Sequence, residues 1–361
     1  MEVKMKQKRY FKLFGSACVL FVLAAFVGIC FVTPATAAPI KIKWACWSAP
    51  GSAFAKGCTW PLREIEKRTN GKVKFEEYFL GTLVPGTQEI QGVGKRIADM
   101  AVLFCPMNRN ASLLAGVSTC PGVPTSTGDI VADSHMYANK LWEMGKTSKE
   151  VQDEFTKRNI KLAMVQGGVP RCLLSAKIPF TKPEDFKGRR TRALGDEAKI
   201  IESFGGAGVG LTSAEEYEGL SRGIVDFCVD LPVGAVPWKL HEVIKYWVPM
   251  VMGWASYFTV INLDTWNSLP PDVQKVFEEV AEGYPDKFTE ILVDQGEPAA
   301  EKVFEEAGVV KLDWPPEQQA KIDAAAAPFA KKWALDAEKR GSQGKTVLNQ
   351  WFRVWGREPV F

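Results

Sequence analysis

From residue 40 onward the chain moves between two hydrophobic rhythms. Ile40–Trp47 places apolar side chains at alternate positions, which predicts a strand. Phe54–Arg68 places them at helical spacing. Asn70-Gly71 then supplies the residue that enters the left-handed region freely and stops a helix. Lys72–Phe79 reads as a second strand. The loop Gly81–Gly86 leads into a short helix from Thr87, and Ala98–Phe104 is an apolar run of buried-strand length. A βαβαβ beginning of this kind predicts a parallel sheet covered by helices, so the fold class is α/β.

The pattern continues with a helical region over Asp129–Thr156 and a strand at Ile160–Gln166. A turn, Phe180–Gly188, precedes the strand Arg189–Ala193. Thr212-Ser-Ala-Glu215 has the spacing of a capping box and opens a helix that runs through Leu220. Ile224–Val229 and Tyr257–Leu263 read as further strands. The last third is mostly helical, with Val273, Val276, Phe277, Val280 and Tyr284 on one face. Pro285 and Pro298 are expected to kink or interrupt the helical run beyond Tyr284. Pro316–Arg340 is an Ala-rich helix stopped at Gly341. The 361 residues suit two domains, and without a flexible linker these must be joined by structured crossings.

The first residues follow neither rhythm. Lys4, Lys6, Lys8, Arg9 and Lys12 precede an apolar stretch, Leu13–Val32, and then Pro34-Ala-Thr-Ala-Ala38. Basic region, apolar region and Ala-x-Ala site, in that order, read as a secretory signal over 1–37 with cleavage after Ala37. The mature protein is then exported, periplasmic and soluble, and a monomer is expected. The formal charge of +3 comes from this leader, leaving the remainder close to neutral with no overall basic footprint, so nucleic acid is not an expected partner. A content of 46% hydrophobic residues, with 12 Trp and 21 Phe, excludes disorder as the main state.

Outside the leader are Cys46, Cys58, Cys105, Cys120, Cys172 and Cys228, none in a C-x-x-C pair. In an oxidising compartment Cys46–Cys58 and Cys105–Cys120 are the first pairs to consider for disulfides; buried free thiols are the alternative. With only His135 and His241 present, neither a zinc site nor His-based acid–base chemistry has a pattern to rest on. Gly205–Gly210 fails the dinucleotide fingerprint because Leu211 stands where the third glycine belongs. No metal, cofactor or catalytic set is expected.

Several segments, in order, resemble the solute-binding proteins of TRAP (tripartite ATP-independent periplasmic) transporters. They are Lys72-Val-Lys-Phe through Asp99-Met-Ala101, Arg171-Cys-Leu-Leu-Ser-Ala-Lys-Ile-Pro179 through Arg192, Glu215-Glu-Tyr through Ile224-Val-Asp226, and Asn262-Leu-Asp-Thr-Trp through Pro271. The resemblance implies two α/β domains closing over a ligand cleft, with interleaved crossings and a helical C-terminal region. Residues 38–167 with about 254–292 would form one domain, and 168–253 with about 293–361 the other. It further implies capture of a small organic acid and its delivery to TRAP membrane permease subunits.

The family's main carboxylate-binding arginine matches Arg192, and its second matches Arg171. A guanidinium suits that task because its planar pair of N–H donors fits a carboxylate and stays charged. Arg190 is the competitor, since strand alternation puts it on the same face as Arg192. Trp47, at the end of the first strand, is expected either to stack on a ligand or to fill core. Ser213 lies on a cleft-facing loop in the resemblance. After the Val225-Asp226 pair the family often has Gly and then a polar residue such as Glu or Asn. This chain departs from that with Phe227-Cys228-Val229-Asp230, so Asp230 is the nearest polar candidate, and its acid would repel a second ligand carboxylate while accepting from a hydroxyl or amine. An exported α/β enzyme acting on a small carboxylate, and a ligand-sensing module, are the rival functions.

Overall fold

The computed structural model describes residues 38–124 and 129–361. The expected signal segment, 1–37, lies outside the described residues. Along the chain come β1 (Ile40–Ala45), α1 (Ala53–Arg68), β2 (Val73–Tyr78), α2 (Glu89–Gly94) and β3 (Met100–Phe104). Next are α3 (Ile130–Thr147), α4 (Lys149–Lys157), β4 (Ile160–Ser175), β5 (Arg190–Arg192), α5 (Asp196–Ser203), β6 (Ala207–Val209), α6 (Glu216–Ser221) and β7 (Phe227–Asp230). The last part holds β8 (Tyr246–Asn262), α7 (Pro271–Thr289), α8 (Gly296–Glu306), β9 (Val310–Lys311), α9 (Pro316–Lys339) and α10 (Gly344–Val354).

The strands form one mixed sheet in the order β2-β1-β3-β8-β4-β7-β5-β6, with β9 paired to β8. The opening βαβαβ unit is parallel, as its pattern predicts: β1 pairs in parallel with both β2 and β3. β8 then runs antiparallel to β3 and to β4, and β4 antiparallel to β7. β4 and β8 are 16 and 17 residues long and pair along most of their length, so they carry the sheet from one half of the fold into the other.

Only one end of each long strand is evident as a strand in the sequence. Gly167-Gly168 and Pro170 in β4, and Pro249 and Gly253 in β8, have the look of strand ends. The structure absorbs the β4 irregularities in register shifts at Leu162/Met164, Val165/Gly167 and Arg171/Leu173. Gly167 has φ +89°, and a Cβ there would lie 2.4 Å from Ala138 Cβ, so both backbone and packing require glycine.

The long helical region divides at Ser148, whose hydroxyl accepts from Val151 N–H at 3.4 Å as the cap of α4. Pro285, by contrast, lies inside α7 without ending it. The interruption comes later, in a π-helical turn over Glu290–Asp294, and Pro298 falls in the first turn of α8, where a missing N–H removes no intrahelical bond.

Four apolar clusters support this sheet. Leu103, Tyr137, Phe258 and Trp351 belong to one, and Ile42, Leu62, Met100 and Phe277 to the second. The third includes Leu173, Phe186 and Val248; the fourth includes Leu174, Cys228 and Trp247. All six cysteines outside the leader are free and buried, which is the buried-thiol alternative. No helix among the described residues is long and apolar enough to cross a membrane.

His135 links α3 to the end of α7. Its Nδ1 lies 2.8 Å from Asp286 Oδ1 and its Nε2 3.4 Å from Asp294 Oδ2. Burial works against its charge, but hydrogen bonds to Asp286 and Asp294 outweigh this and raise its pKa above the usual value of 6.5. A raised folded pKa stabilises fully below the unfolded pKa and loses that contribution as pH rises through the folded one. His135→Gln should therefore lower the melting temperature at pH 5.5 more than at pH 9. Because the pair is partly solvated, the difference should correspond to about 1 kcal/mol or less. Equal melting shifts at both pH values would contradict this assignment.

Candidate functional site

Strand β7 ends at Asp230 beside β4 and β5, and this places two guanidinium groups against one wall of a cavity. Arg171, in the middle of β4, is 1% exposed, and Arg192, the last residue of β5, is 2% exposed. The cavity is also lined by Trp47, Ser213 and Asp230, so all five residues singled out in the sequence meet there. About 50 Å³ of it is open to water-sized groups. Arg190 is elsewhere: it is exposed, and its Nη2 donates to Gly223 O at 2.6 Å. Strand alternation put it on the face of Arg192, but β5 is only three residues long and the surface begins at Arg190.

The cavity is also walled by aromatic rings. Trp47, Phe54, Phe104 and Tyr257 come from the loop after β1, from α1, from β3 and from β8. Trp47 is 4.8 Å from Phe54 and 5.4 Å from Phe104 between ring centroids, and Tyr257 stacks on Phe104 at 5.3 Å. Trp47 packs against other rings and also lines the cavity. Its indole Nε1 is buried and has no hydrogen-bond partner.

Both arginines are held by the chain itself. Arg171 Nη1 donates to both oxygens of Glu197, at 2.7 and 2.6 Å, and Nη2 donates to Val229 O. Its Nε is buried and unpartnered. Arg192 Nη1 donates to the same Val229 carbonyl at 3.0 Å, and Nε donates to Leu211 O at 3.0 Å. Its Nη2 lies 2.8 Å from Glu216 Oε1, close enough for charge attraction, though not aligned as a hydrogen bond. These contacts fix both guanidinium planes before a ligand arrives.

Glu216 is fully buried at the start of α6. Burial first, and then the neighbouring charge of Asp230, push its pKa well above the usual carboxylate range, against the opposing pull of Arg192. Both Glu216 carboxylate oxygens are buried without a hydrogen-bond partner, so nothing offsets the cost of its charge except Arg192 and, more weakly, Arg171. Asp230 Oδ1 also accepts from Leu231 N–H at 2.9 Å. Behind this pair, Glu297 accepts from Val233 N–H at 3.2 Å, and burial raises its pKa to about 8.

Glu197, Glu216, Phe54, Phe104 and Tyr257 are the site residues that the sequence did not reveal. Glu216 had a usable signal. Its neighbour Glu215 is the capping residue, with its carboxylate accepting from Thr212 N–H at 2.8 Å and facing solvent. The next residue of a helix points elsewhere, which here is the interior. Glu197 and the rings meet the arginines only through long-range pairing.

A larger groove, about 520 Å³, lies elsewhere, between Trp142, Phe155, Trp266 and Phe277. Its cations are engaged at the surface: Lys146 pairs with Glu282 at 2.8 Å, and Lys161 sits 4.7 Å from the Trp266 ring centroid. No buried arginine faces it. Size alone does not make it the site. Among the described residues there is no group of three or more His, Cys, Asp or Glu side chains placed to hold a metal ion.

Comparison with known proteins agrees with this architecture. The family model for bacterial extracellular solute-binding protein, family 7 (DctP), matches residues 56–336. The C4-dicarboxylate-binding periplasmic protein DctP of Rhodobacter capsulatus is 25% identical over 307 residues, covering 81% of this chain and 86% of that protein. A TRAP solute-binding protein of Rhodoferax ferrireducens, solved with copurified benzoate, superposes with a TM-score of 0.75 at 17% identity, covering 88% of this chain and 98% of that one. A second from Rhodoferax ferrireducens, solved with bound malonate, gives 0.74 at 19% identity over 87% and 98%. The shared fold is that of TRAP periplasmic solute-binding proteins.

Proposed function

Because the chain belongs to family 7 of the bacterial extracellular solute-binding proteins, we propose that it captures a small organic acid in the cavity between β1, β4, β5 and β7 and hands it to TRAP membrane permease subunits. The observation that carries this reading is the burial of Arg171 and Arg192 side by side on the wall of one cavity. Arg192 is the principal anchor. Its Nη2 lies 2.8 Å from Glu216 Oε1 without an aligned hydrogen bond, which leaves donors of that nitrogen for a ligand carboxylate. Arg171, tied into Glu197, assists from the next strand but one, and Ser213 and Trp47 Nε1 supply hydrogen bonds.

The chain works outside the cytoplasm after cleavage behind Ala37, as a monomer that returns its ligand unchanged. Residues 38–167 with about 254–292, and 168–253 with part of 293–361, act as two lobes, and the C-terminal helix α10 goes with the first because its Trp351 and the adjoining Trp355 pack on Tyr137. The division of the apolar interior into two clusters flanking β3 and two flanking β7 supports a two-lobed molecule. β4 and β8, with their bulges, are the crossings about which the lobes close. Arg109, which follows β3, pairs with Asp196 of α5 at 2.5 Å and joins the lobes beside the site.

Mass spectrometry of compounds released from purified protein tests this reading. A small carboxylic acid released unchanged, together with a smaller radius of gyration by X-ray scattering when that acid is restored, is the expected result. A released compound without an acidic group, or turnover of the bound acid, would overturn it.

A further inference from the structure

The charges around the cavity set a limit on what the ligand can carry besides its carboxylate. Arg171 is matched by Glu197. Arg192 faces two acids, Glu216 and Asp230, with Glu297 behind them. With Glu216 counted as neutral, the formal charges of Glu197 and Asp230 already cancel those of the two arginines. With Glu216 ionised, the cluster has a surplus of negative charge. In neither case does this cluster hold a spare cation for a ligand of net negative charge. Closing such a ligand into a cavity walled by rings leaves an uncompensated buried charge, which is costly.

Asp230 is the group with acceptor capacity left on the cavity wall. Its Oδ1 is engaged with Leu231 N–H, and it lines the cavity beside both arginines. Facing the same space are Trp47, Phe54, Phe104 and Tyr257, whose ring faces carry partial negative charge and attract cations. Acid and rings together make a place for a cation beside the arginines that take the carboxylate. The buried, unpartnered Nε1 of Trp47 and Nε of Arg171 add donors for an anionic group.

Resting on the carboxylate-capture reading, we infer that the ligand is a small zwitterion, with its carboxylate on Arg192 and Arg171 and a cationic nitrogen between Asp230 and the aromatic wall. A zwitterion adds no net charge to the closed cavity. A dicarboxylate adds two negative charges next to Asp230 and is disfavoured most.

Calorimetry with matched probes tests this. Glycine betaine and 3,3-dimethylbutanoate share a shape and differ by the charge on the central atom of the head group. Phenylalanine and 3-phenylpropanoate differ by one ammonium. Succinate serves as the dianion. In at least one pair the zwitterion should bind at least tenfold more tightly than its uncharged-tail partner, with succinate weakest. Asp230→Asn, checked for folding by its melting curve, should abolish that preference while leaving or improving binding of the uncharged-tail acid. A purely structural role for Asp230 would weaken both probes alike. Equal or tighter binding of the uncharged-tail acids overturns the inference and leaves carboxylate capture standing. If no probe binds, the released compound decides: an acid with a basic nitrogen supports the inference, and a nitrogen-free acid overturns it. A released compound with no acidic group removes both readings.

Discussion

Replacing Arg192 with alanine is expected to weaken binding of the captured acid by roughly thirtyfold or more. That magnitude is the cost of truncating one partner of a desolvated, hydrogen-bonded charge pair, on the order of 2–5 kcal/mol, at 1.4 kcal/mol per decade of affinity. Arg192 is 2% exposed, and its Nε and Nη1 are committed to Leu211 O and Val229 O, so its orientation is set by the backbone of two neighbouring segments. Arg192→Lys keeps the charge and loses the planar fork, and should recover only a small part of the affinity. Arg190→Ala is the control on the same strand. Its side chain is exposed and bonded to Gly223 O, so binding should stay within about twofold of wild type. Calorimetry on the three variants, each shown to melt cooperatively, separates the cases. Wild-type affinity in Arg192→Ala would remove Arg192 from the site.

The largest loss of stability is expected from Trp351→Ala. Trp351 in α10 is fully buried and lies edge-on to Tyr137, at 5.9 Å and 80°, and to Trp355, at 5.7 Å and 84°. Tyr137 in turn stacks on Trp254 of β8 at 4.5 Å. These rings attach the C-terminal helix to α3 and to a strand that crosses the whole fold. Removing a buried aromatic side chain of this size costs on the order of 3–5 kcal/mol, from lost burial and the cavity left behind. Thermal unfolding should show a clear drop in midpoint, whereas truncating the exposed Leu335 of α9 should change it little. Similar midpoints for Trp351→Ala and wild type would mean that α10 does not contribute to the core in solution.

How much of this was legible in the sequence depends on the range of the interaction concerned. The strands β1, β2 and β3 and the helix α1 follow from local periodicity and a glycine stop, and the structure has them within a few residues of those limits. β4 and β8 were half visible, because Gly167-Gly168, Pro170, Pro249 and Gly253 punctuate strands that bulges and long-range pairing keep continuous. The break at Ser148 was written in a capping residue that the helical period on either side concealed. At the site, Arg171, Arg192, Trp47, Ser213 and Asp230 were found by resemblance, and the structure brings them to one cavity. Their partners were not legible. Nothing near Arg171 in sequence points to Glu197, and Glu216 meets Arg192 only when α6 is packed against β7.

Carboxylate capture at Arg192 is tested most directly by a structure of the protein with its released acid, or the tightest of the matched probes, bound. The carboxylate is predicted to lie against Arg192, at about 2.7–2.9 Å from guanidinium nitrogens, within the cavity that Trp47 and Asp230 also line. A ligand held in the groove beside Trp142 and Trp266, with Arg192 still bonded only to Leu211, Val229 and Glu216, would contradict it.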